Sequence, residues 1–133
     1  MTDRELLELA AKAAGWTGWQ SKHGYWNLTS PEGETSVRCS EWTDWHRYDP
    51  DTGKLREGPT FADAISETDW SPLTDDGDAL RLAVKLEIDL CYGANYVIAD
   101  GVQEPTVNNA NDPCSATRRA IVRAAVEVGR VEP

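Results

Sequence analysis

The chain has 133 residues, a formal charge of −10 and a hydrophobic share of 40% that includes six tryptophans. That length suits one compact domain, expected to span residues 1–133, and the tryptophans argue against wholesale disorder. The negative balance disfavours nucleic acid as a direct partner, because phosphate binding depends on basic patches, and it steers the chain toward basic protein surfaces as well as serving solubility.

A first helix is well marked. Thr2 and Glu5 match a capping box, Leu6, Leu9, Ala10 and Ala13 recur at helical spacing, and Gly15 can supply a left-handed stop. Residues 16–65 change character: turn residues punctuate short aromatic or β-branched runs, the mark of antiparallel strands. SPEGE at 30–34 reads as one turn. YDPDTGKL at 48–55 reads as a hairpin turn in which Pro50 fixes φ, Asp51 bonds its own backbone and Gly53 takes positive φ. FADAI at 61–65 fits a short strand or a helical turn equally well.

DWSPLTDDGDALRLAVKL, residues 69–86, opens the second helix. Asp75 or Thr74 is the candidate cap, with Asp76 and Asp78 facing the partial positive charge of the first turn. Leu80, Ala83 and Val84, with Leu82 and Leu86, predict a broad buried face, and Asp78, Arg81 and Lys85 a wet strip. Strands resume at IDLCY (88–92), ANYVIAD (94–100) and QEPTV (103–107), with Pro105 suiting an edge. In the third helix Asp112 caps, Pro113 takes the first position and Gly129 is expected to end it. Ile121, Ala124, Ala125 and Val128 predict its buried face, and Arg119, Arg123 and Glu127 an exposed ladder. The sum is an α+β domain, an antiparallel sheet layered with three α-helices.

Sites of catalysis are hard to assemble from this chain. A calcium loop with Gly77 at its sixth position would place Pro72 first and Thr74 third, so two ligands are missing, and capping chemistry is the better account of the aspartates. His23 and His46 show no metal-ligand spacing, and no metal or cofactor is expected. Cys39, Cys91 and Cys114 lack a C-x-x-C pair and are expected as buried free thiols of a cytosolic chain. Cys114, in the first turn of a helix, is the one candidate nucleophile, with His23 or His46 as its base. The N-terminal stretch is too charged for a secretory signal, and no apolar run approaches membrane-spanning length.

Binding is easier to argue. Residues 41–78 hold eleven Asp or Glu against Arg47, Lys54 and Arg56, a net of −8. Tryptophan contributes large contact area at low entropy cost. Trp42, Asp44, Trp45, Tyr48, Asp49 and Asp51 are therefore the candidate contact residues for a basic partner. Arg118, Arg119 and Arg123 form the alternative, a phosphate-holding set for a nucleotide-like ligand.

The segments MTDRELLELAAKAAG, DWSPLTDDGDALRLAVKL and DPCSATRRAIVRAAVEVGR resemble the phage ABA-sandwich domain family. The likeness covers the three helices, a little under half of the chain. It implies a layered domain of bacteriophage or prophage origin, with strands sandwiched by helices, and it carries over no functional residues. The chain departs from the pattern where Glu87 stands in place of a glycine-like helix stop, and in residues 16–65, which are longer, aromatic and acidic. The resemblance implies an accessory factor acting inside the host cell. Its partner would be a basic host protein such as a nucleic-acid-binding defence complex, as counter-defence inhibitors of the anti-CRISPR class have. A homo-oligomer remains compatible with this reading.

Overall fold

A computed structural model describes residues 2–40, 48–54 and 56–131. Its elements run α1 (Asp3–Ala14), β1 (Thr17–Gln20), β2 (Trp26–Thr29), β3 (Thr35–Arg38), α2 (Phe61–Ser66), α3 (Asp76–Lys85), β4 (Leu90–Tyr92), β5 (Tyr96–Ala99), β6 (Val102–Pro105), a 3₁₀ turn (Thr106–Asn109) and α4 (Pro113–Val131). The fold is α+β, with every strand pairing antiparallel. Among the described residues, strands β1 to β6 form two three-stranded sheets, ordered β1-β2-β3 and β4-β5-β6. Each sheet belongs to one of two compact units: Gly15–Asp69, and Met1–Ala14 with Trp70–Pro133.

In the unit Gly15–Asp69, two turns of the same design set the register of the first sheet. Gly24 N–H donates to Ser21 O and Ser21 N–H to Tyr25 O; Gly33 N–H donates to Ser30 O and Ser30 N–H to Glu34 O. Each is a three-residue hairpin loop whose last position needs positive φ, and Gly24 (φ 97°) and Gly33 (φ 89°) supply it. FADAI resolves as helix α2, because Thr60 and Asp63 form a reciprocal capping box: Asp63 N–H donates to Thr60 Oγ1 and Thr60 N–H to Asp63 Oδ2. A short helix with four buried apolar residues, Phe61, Ala62, Ala64 and Ile65, covers one sheet face through Leu28.

In the other unit α4 is the hub, packing against α1, α3, β5 and β6. Ala116, Ala120, Ile121, Val122, Ala124, Ala125 and Val126 are all buried, so α4 is apolar on most of its surface. Asp112 caps it as expected, accepting from Cys114 N–H at 3.0 Å. Gly129 does not end it. The helix continues to Val131, and a Cβ on Gly129 would lie 3.1 Å from Ala13 Cβ; the glycine lets α1 and α4 approach closely. Val128 is only half-buried. Thr106 and Val107 leave the predicted strand for the 3₁₀ turn.

Helix α3 differs in phase from the expectation. Ala79, Leu82 and Ala83 are buried, whereas Leu80 and Val84 are exposed. Asp78 shares the buried face: its carboxylate is turned inward to accept Ser71 N–H at 2.8 Å, and with Ala79, Leu82 and Ala83 buried as α3 packs on α4, Leu80 and Val84 fall on the outside. The helix stops in a Schellman motif: Glu87 N–H donates to Val84 O and Ile88 N–H to Ala83 O, with Ile88 buried beside them. Glu87 itself takes the left-handed conformation (φ 54°) where a glycine would be unstrained.

Left-handed backbone costs an ordinary residue roughly 1–2 kcal/mol, partly offset by glycine's greater unfolded-state freedom. Glu87→Gly is therefore expected to raise unfolding stability by up to about 1 kcal/mol in denaturant titration. Gly129→Leu is expected to lower it by roughly 1–3 kcal/mol through overpacking against Ala13.

Candidate binding surface

Helix α2 closes one face of the first sheet, and strand alternation decides what remains on the other. Gly18, Gln20, Trp26, Leu28, Ser36 and Arg38 share the α2 side. Phe61 meets Trp26 edge to face at 5.6 Å, and Trp26 Nε1 donates to Pro59 O at 2.8 Å. A Cβ on Gly18 would lie 2.7 Å from Leu28 Cδ2 and 3.1 Å from Phe61, so no side chain fits there. The opposite face carries two rows in register across the strands, Trp19–Asn27–Val37 and Thr17–Thr29–Thr35. Trp19 is 63% exposed and Val37 53%. Between them Asn27 Nδ2 is shielded from solvent with no hydrogen-bond partner among the described residues.

Of the six residues expected to contact a partner, Trp42, Asp44 and Trp45 lie outside the described residues. Tyr48, Asp49 and Asp51 do fall together, in a loop fastened by Asp49 N–H to Lys54 O and Gly53 N–H to Asp49 O. The side-chain bond there runs opposite to the expectation: Asp49 Oδ1 accepts from Asp51 N–H at 2.9 Å. Tyr48 and Asp51 are exposed. Trp16, Trp26 and Trp70 are half-buried, which leaves Trp19 as the most open indole among the described residues. Sequence pattern missed it, because T-G-W-Q has no apolar alternation to mark an outward position.

Three of the four aspartates of 69–78 are engaged in folding contacts. Asp75 caps α3 by accepting Asp78 N–H at 2.8 Å, Asp76 pairs with Arg118 at 2.6 Å, and Asp78 holds Ser71 N–H and Arg81. Asp78 is therefore not part of a wet strip. No group of three or more His, Cys, Asp or Glu among the described residues is arranged to hold a metal ion.

The arginines are similarly engaged. Arg118 donates to Leu73 O at 3.0 Å besides its pair with Asp76. Arg119 reaches Asp3 at 2.8 Å and Glu104 at 3.8 Å, and Arg123 pairs with Glu104 and donates to Gln103 O at 3.2 Å. Glu104 is 4% exposed on β6 and also accepts from Asn109 Nδ2 at 2.9 Å. Arg119 and Arg123 thus compensate a buried carboxylate instead of forming an exposed ladder; an uncompensated one would be costly. The phosphate-holding set is spread over several carboxylates and is not gathered into a cradle.

Among the thiols only Cys39 is buried; Cys91 and Cys114 are exposed, contrary to expectation. Cys39 donates to Glu67 Oε2 at 2.7 Å, and its N–H donates to Glu67 Oε1 at 3.1 Å. Burial, with the bond to Glu67 and that carboxylate's charge, pushes the thiol from its ordinary 9.0 up to about 12. A thiol held protonated in this way is a poor nucleophile. His23 stacks on Tyr25 in the β1–β2 turn, and His46 lies outside the described residues.

Comparison with protein-family models, with curated proteins and with solved structures finds no match to this chain. No helix among the described residues is long and apolar enough to cross a membrane.

Asp78→Ala strands Ser71 N–H and is expected to lower stability by roughly 1–3 kcal/mol, read by denaturant unfolding. Because the Cys39 pKa is raised on folding, the stability tied to its protonation is fully present below pH 9.0 and declines as pH rises toward about 12. Alkylation at pH 8 followed by peptide mapping should label Cys91 and Cys114 and spare Cys39; equal labelling of all three would contradict the buried thiol.

Proposed function

We propose that this chain acts by binding, docking an acidic, tryptophan-bearing surface of the unit Gly15–Asp69 onto a basic protein. The observation that carries the reading is Trp19, an indole 63% exposed beside the exposed Val37 on the sheet face opposite α2. A folding role does not account for it, since the same sheet already buries its other side on α2. The unit around it holds ten Asp or Glu against five Lys or Arg. An exposed indole supplies contact area and excess carboxylate supplies attraction over distance, the division of labour found at charged interfaces. Engagement of Asp75, Asp76 and Asp78 in capping and ion pairs supports the reading further, because it removes the strongest rival use of the acidic cluster.

The setting follows from the resemblance to phage ABA-sandwich proteins: an accessory factor in the host cell, with a basic, nucleic-acid-binding defence protein as the partner it blocks. Steric cover of the basic face and competition with phosphate would together produce inhibition.

The test is capture of a partner from host lysate at low ionic strength, then titration of the purified pair across a salt series. Affinity should fall steeply as salt screens the carboxylates, and Trp19→Ala should weaken binding by about 2 kcal/mol while leaving the unfolding transition in place. An affinity flat from low to high salt would defeat the reading.

A further inference from the structure

We propose that β1 accepts an extended, positively charged segment of the partner as a fourth strand of the first sheet. This rests on the reading of the chain as a binder of basic surfaces and specifies how contact is made. Strand β1 is an edge of the sheet, and all four of its residues are exposed. Ser21 N–H bonds Tyr25 O, so the alternation of an antiparallel ladder makes Trp19–Asn27 and Thr17–Thr29 the hydrogen-bonded pairs. Gly18 and Gln20 fall between them. Their N–H and C=O groups therefore point away from β2, and among the described residues no backbone group pairs with them.

Edges of this kind are ordinarily blunted by lysine, proline, a bulge or a covering element. The strand TGWQ has no lysine or proline, and its regular register with β2 has no bulge. Gly18 has no side chain to shade its peptide groups, and Leu28 and Phe61 forbid it one. Trp19, on the open face, is placed to cover alternate side chains of an incoming strand. Main-chain bonds supply affinity in such an addition, and side-chain contacts supply choice.

Charge selects the occupant. A second copy would bring −10 against −10, which opposes self-pairing. Along the sheet the charge is graded: the turn at the Thr17–Thr29–Thr35 end carries Glu32 and Glu34, and the turn at the other end carries Lys22. The incoming segment is thereby oriented with its cations over the Thr17 end.

The experiment is amide hydrogen exchange by NMR on the full chain, with a decapeptide of alternating lysine and threonine and with its glutamate counterpart. The lysine peptide should protect Gly18 and Gln20 at low salt, and the glutamate peptide should not. Gln20→Pro removes one outward N–H without breaking a β1–β2 bond, and should lower affinity about tenfold or more. Gln20→Ala, which loses the same side-chain bonds to Gly24 and Pro59, should stay within about twofold. If Gln20→Pro fails to fold, the exchange pattern of the natural chain decides alone. Salt-sensitive peptide binding with Gly18 and Gln20 unprotected overturns strand addition and leaves the basic-surface reading standing. No binding of the lysine peptide also overturns strand addition, and the salt series with the captured partner then judges the parent reading by itself. Protection that grows with protein concentration in the absence of peptide assigns the edge to a second copy and overturns the basic segment.

Discussion

Phe61 seated under Gly18 and Leu28 is the contact on which the first sheet's working face depends. It closes one side with a helix of only six residues, anchored by the Thr60–Asp63 box and by Trp26 reaching Pro59 O. Side chains alternate along a strand, so once Gly18, Gln20, Trp26 and Leu28 are committed inward, Trp19 and Val37 are committed outward. A one-residue slip would bury Trp19 and expose Leu28, and the two glycine turns at Ser21–Tyr25 and Ser30–Glu34 hold the register against it. Exposure of the indole is thus a consequence of register and not of a loose side chain.

The two units dispose of their charge differently. In the unit built on α4, carboxylates are consumed where they stand: Asp75 at a helix entrance, Asp78 beneath it, Asp76 on Arg118, and Glu104 between Arg119 and Arg123. These contacts tie elements distant in sequence, such as β6 to α4. In the unit Gly15–Asp69, Asp49 serves a turn, Asp63 a cap and Glu67 the Cys39 thiol, while Glu32 and Asp51 stand exposed. Field that is not cancelled locally is available to act at a distance.

Local signals were legible in the sequence. The turn at SPEGE, the Asp112–Pro113 helix start and the capping role of Asp75 each depend on residues within a few positions of one another, and each stands as read. The phase of α3 was not legible. Ala79, Leu80, Leu82, Ala83, Val84 and Leu86 make the apolar stripe so wide that periodicity allows several buried faces, and the choice among them is made by packing on α4 together with the inward Asp78 that holds Ser71 N–H. Gly129 reads as a stop until Ala13, more than a hundred positions away, is known to press on it. Arg119 and Arg123 read as solvated until Glu104 is placed beneath them. Trp19 was hidden for a related reason: an edge position is a property of pairing order, which the four letters TGWQ do not encode.

Stability alone gives a poor account of the open face. Asn27 Nδ2 lies between Trp19 and Val37 with no partner among the described residues, and a buried unmet donor costs about 1–3 kcal/mol. Val37 and Trp19 gain little from water on their exposed sides, and an unguarded edge invites pairing that a chain free of such a role would be expected to block. Every one of these features could be removed by an ordinary substitution: a serine for Asn27, a threonine for Val37, a lysine in β1. Their coincidence in one small sheet, beside a surplus of negative charge that keeps copies of the chain apart, is economical only if the face spends part of its time covered by something else. The same surplus then sets what that cover must be, since a protein that repels its own kind is left to attract its opposite.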